Sequence, residues 1–451
     1  MRFRHPDGST VHLAYCTNVH PAETLDGILD QLRDHCEPVR KRLGRDRLGI
    51  GLWLARAAAR VLTADPAALR LLRKELEVRG LEVVTLNGFP YEGFGDSHVK
   101  YRVYRPDWTE PARLEYTSDL ARLLTALLPD DATEGTISTL PLAWRTDFDE
   151  HRRTVALEAL HTLGARLDAL QDTTGRSIRI GLEPEPGCTI ETLADALEAL
   201  TGTSGAPGPS GTPGPTDTAI TPGIPGDPAI AGTPNTPGTP NASDIPSASD
   251  IPAAPATAVP THRIGVCVDT CHLATSFEEP GPALDALHRA GIPVVKAQLS
   301  AALHAEEPAR ADVRDALGAF AEPRFLHQTR TRSAQGALLA TDDLDEALGD
   351  RGSGTGLPTE APWRAHFHVP LHAPPQPPLT STLSVLQDTL ARLVGPAAPP
   401  RTHHLEVETY TWQALPPELR PRTRARLADG IAAELSLARD LLTDLGLKEL
   451  P

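Results

Sequence analysis

Cysteine is scarce in this chain and poorly spaced for structural work. The five residues, at 16, 36, 188, 267 and 271, contain no CxxC or zinc-ribbon pattern, and an odd number makes a poor disulfide framework. Cys267 and Cys271 flank Asp269 in a CxxxC whose plainest reading is small apolar packing in a strand. No apolar run approaches the roughly 18 residues that a membrane span needs. The first residues, Met1-Arg-Phe-Arg-His-Pro-Asp-Gly8, lack the apolar core of a secretory signal. A cytoplasmic chain without membrane insertion is expected. No GxGxxG follows the first strand and no GxxxxGK[ST] occurs, so a dinucleotide fingerprint and a P-loop are both missing. Basic charge is outnumbered: 43 Lys and Arg against 59 Asp and Glu give a formal net charge of −16. That balance argues against an extended nucleic-acid footprint, although a local basic pocket would survive the average. Aromatic residues make up only 4%, a habit of an Ala-, Arg-, Leu- and Pro-rich composition more than a sign of function.

What is present is alternation. Short apolar runs at 11–18, 48–54, 81–88, 135–142, 178–187, 264–269, 293–300 and 404–412 read as eight strands. Helical spacing fills the intervals at 23–43, 66–79, 110–128, 149–173, 189–200 and 282–291, and 417–445 closes the chain helically. Gly80 supplies a stop signal for the second of these helices. Eight strand–helix repeats predict a (β/α)8 TIM barrel over a Rossmann sheet. Strands 1–5 then occupy 1–200, strands 6 and 7 occupy 261–300, and strand 8 with a closing helix occupies 401–451.

Two stretches are left over, as a length of 451 residues leads one to expect. Residues 201–260 are rich in proline, glycine and threonine and contain no Lys, Arg or aromatic side chain. Such a segment buries too little apolar surface to offset its ordering entropy, so a disordered insertion is expected there. Residues 301–400 are too long for one strand–helix connection and predict an insertion over the barrel mouth.

The chemistry-bearing residues gather at strand ends. Ile264-Gly-Val-Cys-Val-Asp-Thr-Cys-His272 delivers a carboxylate, and three positions later an imidazole, to the rim where α/β barrels work. The ordinary alternative for Asp269 is a helix cap. Alternate strand residues share a face, which groups Lys296 with Gln298, Glu406 with Glu408, and Glu183 with Glu185 unless the chain has already turned. Each also has an ordinary reading: a loop salt bridge for Glu183, an outward pair with Arg for Glu406, a barrel hydrogen bond for Gln298. As a group, converging carboxylates repel unless a counter-charge is supplied. A divalent cation supplies it. Carboxylates with one amide or imidazole suit Mn, Mg or Co, or Zn if more histidines join. His366 and His368 share a face of an apparent strand and are either a structural pair or ligand or substrate contacts.

Ile180-Gly-Leu-Glu-Pro184, Val268-Asp-Thr-Cys-His-Leu273 and Val407-Glu-Thr-Tyr410 resemble the xylose isomerase-like TIM-barrel superfamily of sugar epimerases, inositol-catabolism isomerases and endonuclease IV-type enzymes. A closer resemblance, to the EboE family of metabolite traffic proteins, covers nearly all of the chain outside 201–260. It rests on Tyr15-Cys-Thr-Asn-Val-His-Pro21, Asn87-Gly-Phe-Pro-Tyr91, Tyr104-Arg-Pro-Asp-Trp108, Leu182-Glu-Pro-Glu-Pro-Gly187, Lys296-Ala-Gln-Leu-Ser300, His366-Phe-His-Val-Pro370 and Leu405-Glu-Val-Glu-Thr-Tyr-Thr-Trp412. The resemblance implies that Glu183 and Glu408 bind metal and move protons, with Lys296 beside them in catalysis and Asp269 as a further ligand. It implies substrate contacts from His272, Asn87, His366 and Trp412. Gln298, a weaker ligand, stands where the superfamily has His, and the resemblance leaves His366 or His368 to compensate.

The leading expectation is a metal-dependent isomerase or epimerase acting on a sugar-like or polyol metabolite or its phosphate. The alternatives are a barrel that binds or hands on such a metabolite without converting it, and, less favoured, a metal phosphoesterase. No nucleic-acid partner is expected, and the oligomeric state is left open.

Overall fold

Eight short strands pair in parallel and close on themselves. They are β1 (Thr10–Cys16), β2 (Leu48–Trp53), β3 (Leu81–Asn87), β4 (Glu134–Thr139), β5 (Ser177–Leu182), β6 (Ile264–Asp269), β7 (Val294–Leu299) and β8 (His404–Val407). Each pairs with its successor, and β8 returns to β1 in a register running from His404↔His12 to Val407↔Tyr15. The computed structural model describes residues 1–202, 259–349 and 356–451. The insertion expected at 201–260 therefore lies, apart from its ends, outside the described residues.

Leu48-Gly-Ile-Gly-Leu-Trp53 and Ile264-Gly-Val-Cys-Val-Asp269 are buried at every position. Strands in a parallel barrel are covered on both faces, which is why they read as continuous apolar runs without polar alternation. Helices form the outer ring. Pro66–Val78 ends before Gly80, whose φ of +63° is a left-handed conformation that glycine adopts without penalty. Glu150–Thr174 begins at Asp149, whose carboxylate accepts from the Arg152 amide at 2.8 Å. The expected helix at 23–43 is real but takes a π turn at Leu32–Cys36. Arg56–Ala64 is an additional helix that the sequence reading passes over.

The long stretch after β7 divides in two. Its first part forms a five-stranded antiparallel sheet, ordered Leu338–Thr341, Thr329–Arg332, Trp363–Ala365, Leu303–Ala305 and Thr380–Ser381. Its second part, helix Leu383–Val394, packs against Pro280–Arg289 in the outer ring. Among the described residues, no helix is long and apolar enough to cross a membrane.

Candidate metal centre at the barrel mouth

The barrel interior is polar before the mouth is reached. Lys296 on β7 places its ammonium 2.8 Å from the Glu406 carboxylate of β8, with both side chains fully buried. Burial alone would lower the Lys296 pKa, but the charge and hydrogen bond of Glu406, with smaller neighbouring contributions, together outweigh it, so the lysine stays charged. Room for this pair comes from β2, because a Cβ at Gly51 would overlap the Glu406 carboxylate.

One layer further toward the carboxyl ends come three carboxylates. Asp269 is the last residue of β6, and Glu183 and Glu408 follow β5 and β8 directly. Their amides continue the ladder, Glu183 to Thr139 O and Glu408 to Leu299 O, so strand alternation still aims both side chains inward. Ligating oxygens of Glu183, Asp269 and Glu408 all lie within 4.8 Å of one another. Asp269 fills two roles at once. Its Oδ1 accepts from Ser300 Oγ (2.6 Å) and from the Cys271 and His272 amides (2.7 and 3.1 Å), capping helix Thr270–Thr275. Its Oδ2 is buried without a hydrogen bond among the described residues, as are Glu183 Oε2 and both amide atoms of Gln298. Gln298 pairs in register with Asp269 on one side and Glu406 on the other. Glu408 is better anchored, its Oε1 accepting from Asn18 Nδ2 (2.7 Å) and Asn87 Nδ2 (3.0 Å).

Burial, then the Glu408 and Asp269 charges, push the Glu183 carboxyl well above its ordinary range. Burial, then Asp269 and Glu406, push Glu408 up to about 8. Burial also acts upward on Asp269, but His272, His368 and the Ser300 hydrogen bond outweigh it and hold this carboxyl low. An unpaired buried polar atom costs on the order of 1–3 kcal/mol. Orphaned donors clustered in one pocket mark a place where a ligand belongs.

Three imidazoles converge beside the carboxylates. His272 Nδ1 lies 2.8 Å from Pro184 O and His368 Nδ1 lies 2.6 Å from Glu408 O. Carbonyl oxygens only accept, so both Nδ1 atoms carry hydrogen. The third case follows from a side-chain amide. Gln328 Nε2 donates to Pro186 O and Tyr104 Oη (2.9 and 2.8 Å), which directs its Oε1 at His366 Nδ1 (2.8 Å). All three rings thereby turn Nε2 to a common point, with His366 Nε2 3.0 Å from that of His272 and 3.2 Å from that of His368. Neutral rings in these tautomers oppose bare lone pairs, an arrangement relieved by a proton or by a cation. Burial, then His272 and His368, hold the His366 pKa well below its usual value, and burial lowers His368 to about 4. His272 is raised, because Asp269 and Glu185 outweigh its burial. Asp269, His272 and His368 form a second candidate triad, and Glu185, His272 and His366 a third. The donor chemistry fits a divalent cation: oxygens suit Mg or Mn, and imidazoles suit Zn or Co.

Glu183, Glu408, Asn87, His272, His366 and His368 all line one cavity that opens to solvent. Asp269 and Gln298 are buried next to that lining, and Lys296 lies inside the barrel with Glu406. Trp412 is not brought there. Its indole donates to Glu434 Oε2 at 3.0 Å and packs on Gly430 of the closing helix. His366 and His368 lie just past strand Trp363–Ala365, not on it, and between them Phe367 turns away to pack on Phe320. Glu185, grouped with Glu183 from the sequence, does reach the site, and Asn18, Tyr104, Gln328 and Tyr410 are site residues that the sequence did not single out. Asn18 and Glu185 stood in quoted motifs at strand ends, whereas Gln328 carries no local signal because it reaches the mouth from the cap.

No protein-family model matches the chain, and no curated protein matches it. Among solved structures it is similar to a candidate sugar phosphate isomerase/epimerase from Anabaena variabilis, at 12% identity and a TM-score of 0.46, covering 97% of this chain and 100% of that one. It is also similar to the IolI protein with a bound zinc atom (11%, TM-score 0.42, 96% and 99% covered). A D-tagatose 3-epimerase-like protein matches at 14% and a TM-score of 0.32, over 64% of this chain and 75% of that one. Likenesses this distant say nothing of reaction or ligand. The barrel is established by the chain's own strand pairing.

Proposed function

We propose that this is a cytoplasmic, EboE-type member of the xylose isomerase-like barrels that isomerises or epimerises a sugar-like or polyol metabolite at a divalent-metal centre. The observation that carries the reading is the cluster of Glu183, Asp269 and Glu408, buried together with oxygens left unpaired. Glu183, Asp269 and Glu408, with Gln298 and His368, would hold the cation. Bound there, it would polarise a carbonyl oxygen of the ligand together with the neighbouring hydroxyl, and acidify the C–H on the hydroxyl-bearing carbon.

The remaining work falls to the chain. One of Glu183 and Glu408 takes the proton and the other returns it. Asn18 and Asn87 fix Glu408 Oε1 for either role. His272, His366 and Asn87 orient the ligand from the cavity wall. The buried Lys296 charge opposes the upward pull on both glutamates.

The test is solvent exchange. Mn-loaded protein is incubated in D2O with a panel of aldoses, ketoses and α-hydroxyketones that bear alkyl chains, and carbon-bound deuterium is read by NMR. The expected result is incorporation by wild type, reduced on the order of 10²-fold or more in Glu183→Gln and Glu408→Gln. Tight ligand binding with no exchange would favour the second reading, a barrel that carries its metabolite unchanged. Gln298 gives that reading its support, since a neutral amide is a weaker ligand than imidazole or carboxylate.

A further inference from the structure

We infer that the ligand of this mouth is an uncharged vicinal oxygen compound bearing an apolar group, and not a phosphorylated sugar. The inference builds on the metal-centre reading and narrows its substrate class. Two features of the cavity, neither of them a metal ligand, carry it.

The first is the wall. Beside the carboxylates and imidazoles the cavity lining includes Phe89, Phe94, Val99, Val103, Phe325 and Leu326, six side chains with nothing to donate or accept. Phe94, Phe325 and Tyr410 pack ring against ring with centroids 5.0–5.5 Å apart, so the collar is a fixed surface joining barrel loops to the cap. A free sugar, hydroxylated on every carbon, would leave its outer hydroxyls unpaired against this wall.

The second is the state of the cations. Lys100 is the only lysine or arginine in the described lining, and its ammonium is ion-paired with Asp343. The nearby guanidiniums are engaged elsewhere. Arg324 donates to Phe94 O at 2.7 Å and lies over the Phe325 ring. Arg330 is held by Glu191 and Thr341 O, and Arg145 by Gly187 O and Asp342. A phosphate dianion would instead share the cavity with Glu183, Glu185 and Glu408. Phosphate recognition relies on guanidinium forks or free ammonium groups, and none stands free in the described lining.

The test is calorimetric titration of the full chain, with and without added Mn. The probes are glycerol, 1,2-butanediol, 1,2-hexanediol, 1,2-octanediol and glycerol 3-phosphate. With Mn, affinity should rise about fourfold per buried methylene along the diols, and glycerol 3-phosphate should bind no better than glycerol. Phe325→Ala should flatten the gradient and Phe325→Leu should restore most of it, with Mn uptake unchanged in both as the check on folding. A flat diol series, a gradient unaltered in Phe325→Ala, or glycerol 3-phosphate binding tenfold tighter than glycerol would each overturn the inference. The metal-centre reading fails separately: a tail gradient that persists with no gain on adding Mn would leave the collar standing and remove the metal.

Discussion

The Lys296 ammonium lies 2.8 Å from the Glu406 carboxylate with neither side chain reaching solvent, and this pair is the polar floor beneath the mouth. A buried ion pair adds little net stability, but losing one partner strands the other charge. Glu406→Ala should therefore cost about 3–5 kcal/mol, read by chemical denaturation. The double variant Lys296→Met with Glu406→Leu should recover most of that loss. A single variant as stable as wild type would mean that Lys296 is neutral in the fold.

Gly51 makes the space that Glu406 occupies. Gly51→Ala should destabilise by about 1–3 kcal/mol, the usual penalty for overpacking a core. Gly44→Ala, at a position with open space around it, controls for glycine loss in general, although its left-handed φ of +62° adds a strain of its own. Equal stability of Gly51→Ala and wild type would remove the claimed contact.

The barrel was legible because a parallel closed sheet imposes a simple rule. Buried strands need unbroken apolar runs and helices need a face, and the sequence from Val11 to Leu299 repeats those two patterns. The carboxylates were legible for the same reason: period-two alternation carries past the strand ends at Leu182 and Val407 to Glu183 and Glu408. Tertiary contacts were not legible. Trp412 sits four residues after Glu408 in one motif, yet a 3-10 turn at Tyr410–Gln413 rotates it onto Glu434. Gln328 joins His366 through a cap sheet whose pairing no local pattern announces.

Trp412 should accordingly behave as a packing residue. Its indole is one of the donors that satisfy Glu434, a carboxyl that burial pushes up to about 7. Trp412→Phe should lower stability by about 1–2 kcal/mol with ligand and metal affinity unchanged. Weakened ligand binding in a fully stable variant would restore it to the site.

Metal-stripped protein should lose stability as pH rises from 6.5 to 9. Burial and the neighbouring carboxylates push Glu408 up to about 8 from an ordinary 4.5, and Glu183 is raised as well. The native state thus holds protons that the unfolded state has released, so the slope of stability with pH is negative. His272, raised by Asp269 and Glu185, acts in the same direction. His366 and His368, both lowered, act oppositely, but only below about 6.5. Thermal melts across this window should fall for wild type and flatten for Glu408→Gln. A melting temperature independent of pH would show that the carboxylates are ionised throughout.

The imidazoles separate metals by softness. His368→Ala should weaken Zn or Co binding on the order of 10–100-fold while leaving Mg affinity nearly unchanged, as measured by competition with a chromogenic chelator. Equal losses for Zn and Mg would mean that the imidazoles act through folding and not as ligands.

The central claim is that the barrel mouth holds a divalent metal, and elemental mass spectrometry tests it most directly. Protein purified without chelator is compared with Glu183→Gln and Asp269→Asn, each checked for folding by circular dichroism. About one equivalent of Mn, Co, Zn or Mg is predicted in wild type, dropping sharply in both folded variants, as loss of a charged ligand requires. A wild type that carries no metal and takes up none of the four when they are added would contradict it.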